Sequence, residues 1–258
     1  MTPSTMRSGI EMILKASLFG GTERSPSRRR ETLRQMRARA TPAGRRQDLR
    51  PRLVLASASP RRMMLLSQVG VEPDALRPSS IDESPRKREM PRSLAIRLAR
   101  AKAEAARDLI ADDKDLAEAY VLAADTVVAA GRHVFGKPDN IEIALATLER
   151  LSGRSHRVLT AVCLITPDDR VRIKIVDTRV RFKRLSHREI EAYLASREWR
   201  GKAGGYAIQG LAGSFVQRIV GSYTNVVGLP LTEVVAMLMA EGFPIHGNWV
   251  EASEAEVD

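Results

Sequence analysis

From Pro51 onward, apolar residues recur in two alternating rhythms: short near-continuous runs, and longer stretches with a period near 3.6. "RLVLAS" (52–57) is a run of the kind a buried strand needs. Residues 60–69 carry a helical pattern, with Ser59 as N-cap, Pro60 at the first helical position and Gly70 to close the far end. "SLAIRLARAKAEAARDLI" (93–110) has apolar positions at helical spacing and abundant alanine, which predicts a long amphipathic helix. "AYVLAADTVVAA" (119–130) reads as a buried strand that ends near Asp125. Asp139 and Glu142 have the spacing of a capping box opening the helix "IEIALATLERL" (141–151), which Gly153 closes. "HRVLTAVCLIT" (156–166) and "VRIKIVDTRVRF" (171–182) flank the turn signal "PDD", and the second alternates with period two, so the pair predicts an antiparallel hairpin. Ser186 and Glu189 form a second capping box for a helix through about Ala195, and Leu231 to Ala240 makes a last helix ended by Gly242. Parallel-type strands combined with a hairpin predict an α/β fold, a mixed, partly antiparallel sheet flanked by helices.

Composition refines this picture mainly at the ends. At 258 residues and 43% hydrophobic content, the chain can bury a substantial core. The net charge of +11 suggests nucleic acid until it is located: residues 1–50 hold 12 of the 42 Lys and Arg and 4 of the 31 Asp and Glu, a net of +8. The basicity is therefore mostly an N-terminal matter. That Arg- and Ser-rich stretch has little apolar content to pack and reads as a disordered extension. Three explanations compete for it, in this order: an upstream start with Met36 as the true initiator, an Arg-rich targeting peptide, or a nucleic-acid-binding arm. The expected organisation is a basic extension over 1–50, a globular domain over 51–246 and a short acidic tail over 247–258. The single cysteine, Cys163, excludes an internal disulfide, lies in an apolar run and suits a reducing, cytoplasmic setting. No apolar run approaches the roughly 18 residues that cross a bilayer.

The chemistry-bearing residues cluster in loops and at the ends of elements. Arg61 and Arg62 open a helix whose N-terminus already carries partial positive charge, so they are unfavourable there unless an anion sits opposite; the alternative is that both face solvent. Asp125, in "AADTVV", is a carboxylate in an apolar strand, either an edge residue in solvent or a site residue at the sheet's mouth. Lys137 lies between Gly136 and Pro138, in a loop where it meets a phosphate or solvent. "GKAGGYAIQGLAGSF" (201–215) is dense in glycine, implying unusual backbone angles or close backbone approach, while Tyr206, Ile208 and Phe215 argue for an ordered, packed segment. Gln209 within it offers both a donor and an acceptor, as reading a nucleobase edge requires. The four histidines show no zinc-binding spacing, whereas Mg²⁺ or Mn²⁺ needs only one or two carboxylates plus phosphate oxygens, with Asp125 and Glu83 as candidates. Neither GxxxxGK[ST] nor GxGxxG is present, nor the GxSxG of an esterase.

In order, "LASASPRR", "IDESP", "RLARAKA", "AADTVV", "GKP", "LSGRSHRVLTAV", "GKAGGYAIQG" and "GSYTNVVGLPL" resemble the motifs of Maf proteins, over about residues 52 to 243. The resemblance implies hydrolysis of a nucleoside triphosphate between its α and β phosphates. It also implies a two-lobed fold around a cleft, like that of inosine triphosphate pyrophosphatases. "SPRR" and "IQG" are similar to the dTTP/UTP type; the methyl-GTP type has tryptophan where Arg61 stands and glutamate where Gln209 stands. By that likeness Asp125 is the proton acceptor, and Arg61, Thr126 and Gln209 are the specificity positions. Ser57, Arg62, Lys102 and Lys137 fall on phosphate-site positions, and Glu83 with Asp125 on the metal site. A Mg²⁺ or Mn²⁺ cofactor and a homodimer are implied, with no membrane partner and no nucleic acid except through the basic extension. A rival of another class is a regulatory or nucleic-acid-binding protein in which that extension does the work. A second rival keeps the fold but takes inosine or methyl-GTP type nucleotides, against which Arg61 and Gln209 speak.

Overall fold

The structure, a computed structural model, describes residues 50–245; the acidic tail and all but the last residue of the basic extension lie outside the described residues. One seven-stranded sheet organises them, in the order β2-β1-β3-β5-β6-β7, with β4 paired to β3. The strands are β1 (Leu53–Leu55), β2 (Ala75–Leu76), β3 (Tyr120–Ala130), β4 (His133–Phe135), β5 (Ser155–Ile165), β6 (Val171–Phe182) and β7 (Val216–Val220). β1 runs parallel to β2 and β3, and the remaining pairs are antiparallel, so the sheet is mixed as expected. The helices are α1 (Pro60–Ser67), α2 (Pro91–Ile110), α3 (Ile141–Leu151), α4 (His187–Ser196), α5 (Tyr223–Val227) and α6 (Leu231–Ala240).

Successive strand residues face opposite sides of a sheet, and here each side has its own core. Leu122, Ala124 and Val128 of β3 join one cluster with Leu66, Leu148, Leu194 and Leu238 from α1, α3, α4 and α6. Val121, Ala123 and Val127 join the other, covered by α2. Ala95, Ala99, Ala103 and Ala106 repeat at helical spacing on the buried side of α2, and their short side chains let the helix lie close to the sheet.

Three expectations about local structure change. Asp125 stands in the middle of β3, because β5 pairs along the whole strand, from Val121↔Ile165 to Ala129↔Arg157. On the opposite edge β1 stops at Leu55↔Leu122 and β4 begins only at Val128↔Phe135, leaving a gap in pairing beside Asp125. The sheet's mouth is thus a lateral gap along one strand edge. The helix over Ile141–Leu151 is capped by Asn140, whose side chain accepts from Ile143 N at 2.9 Å, so the cap falls one residue after Asp139. Ser59 holds the N-cap position of α1, but its side chain makes no capping bond; Ser57 Oγ instead accepts from Ser59 N at 3.2 Å. The capping box of Ser186 and Glu189, the β5–β6 hairpin and the end of α6 at Gly242 form as the pattern predicts.

Candidate functional site

A cleft of about 270 Å³ opens at the gap in β3 pairing, and all nine predicted site residues line it: Ser57, Arg61, Arg62, Glu83, Lys102, Asp125, Thr126, Lys137 and Gln209. They come from the β1–α1 turn, the first turn of α1, the loop before α2, α2 itself, β3, the β4–α3 loop and the glycine-rich segment after α4. Because Asp125 and Thr126 are neighbours on one strand, their side chains leave opposite faces, and the cleft wraps around the strand edge to receive both.

On the α2 side the site is a ladder of alternating charge. Lys102 lies one helical turn from Ala99 and Ala106, so it shares their sheet-facing side. Its ammonium meets Asp125 Oδ1 at 2.5 Å and Glu83 Oε1 at 2.6 Å, and Lys137 Nζ meets Glu83 Oε2 at 2.7 Å. Asp125 is only 6% exposed, and this pairing compensates the burial of its carboxylate. Burial works against the charged form of Glu83, yet hydrogen bonds from Lys102 and Lys137 outweigh it and hold the carboxyl at about 2. The loop carrying Glu83 is pinned by Arg97, which bonds Ser84 O at 3.0 Å and both oxygens of Glu89 at 2.8 Å. Glu83 and Asp125 are hard oxygen donors that fit Mg²⁺ or Mn²⁺, with the Lys102 ammonium already marking a cation position between them. Among the described residues no group of three or more His, Cys, Asp or Glu could hold an ion, so substrate oxygens would have to complete the shell.

On the other side the site is built from hydroxyls, amides and a divided arginine pair. Arg62 is consumed by the protein: Nε donates to Gly228 O at 2.9 Å, Nη1 to Ser57 Oγ at 3.1 Å and Nη2 to Thr126 Oγ1 at 3.3 Å. Arg61, by contrast, makes no hydrogen bond or ion pair with another described residue, although burial lowers its pKa. Lys202 stands close by, its own pKa lowered first by burial and then by Arg61. Two half-buried cations side by side, neither in an ion pair among the described residues, suit an anion between them. Lys202 was not singled out from sequence; its place inside "GKAGGYAIQG" was the available signal.

The glycine-rich segment is ordered as its buried Tyr206, Ile208 and Phe215 suggest. Gly204 has φ +70° and hydrogen-bonds Gly136 O at 2.9 Å, and a Cβ there would stand 2.8 Å from Val128 Cγ1. At Gly210 a Cβ would fall 2.2 Å from a Glu198 carboxylate oxygen, which is free to accept from Leu211 N at 2.9 Å only because the side chain is absent. Gln209 is thereby held at the rim of the cleft, and its amide makes no hydrogen bond with another described residue. Tyr206 OH lies 2.8 Å from His156 Nε2, and burial pushes that imidazole down to about 4, which makes it a neutral core group. Cys163 is fully buried and its thiol is pushed up to about 12, so it is inert. Among the described residues no helix is long and apolar enough to cross a membrane.

Known proteins resemble this chain over most of its described length. A dTTP/UTP pyrophosphatase of Rhodopseudomonas palustris (strain BisB5) is 62% identical over 204 residues, covering 79% of this chain and 99% of its own. One from Nitrobacter winogradskyi is 61% identical over 203 residues, covering 79% and 98%. A solved nucleoside-triphosphatase / dITP/XTP pyrophosphatase from Mycobacterium abscessus aligns with 52% of this chain and 75% of its own at 19% identity, with a TM-score of 0.32. The family model for Maf-like protein matches residues 52–241, the stretch that supplies every element of the cleft, and the chain belongs to that family.

Proposed function

We propose that this protein is a nucleoside triphosphate pyrophosphatase that hydrolyses dTTP and UTP to the monophosphate and pyrophosphate. The observation that carries the reading is the ladder Asp125–Lys102–Glu83–Lys137, a buried carboxylate and two ammonium groups in one cleft with the unpaired Arg61. Water attack at the α phosphorus forms a P–O bond as the bond to the bridging oxygen breaks, and the attacking water must lose a proton. Asp125 is the group placed to orient that water and take its proton. Lys102 and Lys137 take up charge on the departing pyrophosphate, and the Ser57 hydroxyl with the main-chain N–H groups at the start of α1 orients the phosphates. Glu83 and Asp125 would hold Mg²⁺ or Mn²⁺, which supplies positive charge opposite the triphosphate and acidifies a neighbouring water. The Gln209 side-chain N–H donates to O4 at the O4/N3 edge of uracil or thymine. The same reading takes the protein as a cytoplasmic homodimer, on the family resemblance, and sedimentation of the purified chain tests the assembly.

The deciding experiment is pyrophosphate release with Mg²⁺ or Mn²⁺ from dTTP, UTP, CTP, ATP, GTP, ITP and methyl-GTP. Preference for dTTP and UTP is expected. Release from none of them, or preference for a purine, overturns the assignment.

A further inference from the structure

The Thr126 hydroxyl belongs to a chain of hydrogen bonds whose direction is set from both ends. At one end Arg62 Nη2 donates to Thr126 Oγ1 at 3.3 Å. At the other, Thr160 Oγ1 donates to the main-chain carbonyl of Asn225 at 2.9 Å, and a carbonyl can only accept. The 2.9 Å contact between Thr126 and Thr160 then has one possible direction, with Thr126 the donor. A hydroxyl has one proton and two lone pairs. Thr126 has its proton committed and one lone pair filled, so it presents a single lone pair to the cleft and no proton.

The chain is locked from behind. Thr160 and Asn225 are 0% exposed, so water does not compete for their bonds. Asn225 Nδ2 donates to Val158 O at 3.0 Å and to Thr178 Oγ1 at 2.9 Å, and Asn225 N donates to Ser222 Oγ at 3.2 Å. Arg62 sets the opposite polarity on its other partner. Ser57 Oγ accepts from Arg62 Nη1 at 3.1 Å and from Ser59 N at 3.2 Å, so both its lone pairs are filled and its proton is the group left for the cleft. One guanidinium therefore leaves a donor at Ser57, suited to a phosphate oxygen, and an acceptor at Thr126, on the strand face away from the Asp125–Lys102 pair.

We infer that Thr160 and Asn225, acting with Arg62, are positioning residues that set Thr126 as an acceptor for the N3–H that uracil and thymine share. Cytosine, whose N3 is itself an acceptor, meets a lone pair there and is refused. The inference rests on the reading that the cleft takes pyrimidine triphosphates, and it adds the polarity of one specificity group.

The test compares kcat/KM for UTP, dUTP and CTP in the wild type, Thr160→Val and Thr160→Ser, with thermal unfolding as the check on folding. Thr160→Val frees the Thr126 proton to turn toward the cleft, and the UTP:CTP preference falls by about tenfold or more, carried mainly by a lower KM for CTP. Thr160→Ser keeps the relay and keeps the preference. A wild-type preference in Thr160→Val overturns the inference, as does an equal shift in Thr160→Ser, which would mark a packing effect. A change between UTP and dUTP in place of UTP and CTP assigns the lone pair to the sugar and overturns the base assignment. Should Thr160→Val fail to fold, Thr126→Val decides: UTP use falls while CTP use, freed of the opposing lone pair, does not fall with it, and an unchanged ratio overturns the inference. A wild type that hydrolyses none of the three removes the functional reading itself and this inference with it.

Discussion

The two faces of β3 at the cleft solve the problem of burying polar groups in different ways. On the α2 face, Asp125 is stabilised by full charges at 2.5 to 2.7 Å along the ladder through Lys102 and Glu83 to Lys137. On the other face, Thr126, Thr160 and Asn225 are stabilised by neutral hydrogen bonds with defined direction. A charged ladder is strong but only weakly directional, and it suits the proton, metal and phosphate exchange proposed for this site. A hydroxyl chain is directional and suits discrimination between donor and acceptor on a base. On the proposed reading, chemistry and selectivity are separated by the thickness of one strand, and substitutions on the two faces should separate in the same way.

The sharpest break is Asp125→Asn, which keeps the shape and removes the proposed proton acceptor. Turnover should fall by roughly a hundredfold or more while the melting transition persists; a near-normal rate would refute the role of Asp125. The neutral face has its own weakness to acid, set by a buried histidine. His156, beneath Tyr206, has its pKa lowered by burial from 6.5 to about 4. The unfolded chain therefore binds a proton that the folded chain does not, and stability, intact above pH 6.5, falls as pH drops toward 4, by roughly 3 kcal/mol. Urea unfolding at several pH values, repeated with His156→Gln, measures it: the variant should flatten the slope, and an unchanged slope would place the acid sensitivity elsewhere.

Gln209→Glu tests selectivity alone. A carboxylate cannot donate to a carbonyl, so kcat/KM for dTTP and UTP should drop by roughly tenfold to a hundredfold, and unchanged selectivity would mean the base is read elsewhere. Glu83→Gln is the mildest probe of the charged face. The concentration of Mg²⁺ giving half-maximal rate should rise by about tenfold with base preference unchanged; no change in metal dependence would rule out the proposed role of Glu83 as a metal ligand.

Much of this was legible along the chain because local patterns are under local control. The alanine stripe of α2, the PDD hairpin and the Ser186 capping box need only neighbours a few residues away, and each forms as read. The resemblance carried by short motifs brought nine residues to attention, and all nine line one cleft. What failed was the placement of Asp125 at a strand end, because the end belongs to β1, whose short pairing with β3 is invisible in the sequence of β3. Lys202 is not legible as a site residue, because its place near Arg61 in the cleft is made by the turn after α4 and by no repeat or spacing.

By itself, then, the sequence determined the long strands and helices, the polarity of their faces and the inventory of reactive groups, since these follow from periodicity, caps and side-chain chemistry. Only the tertiary structure decided that Arg62 is bound up in the protein while its neighbour Arg61 is left unpaired, and that the Thr126 hydroxyl points its proton inward. Hydrogen-bond direction depends on partners from strands and loops far apart in the chain, and those partners meet only when the sheet and the segments packed on it have assembled.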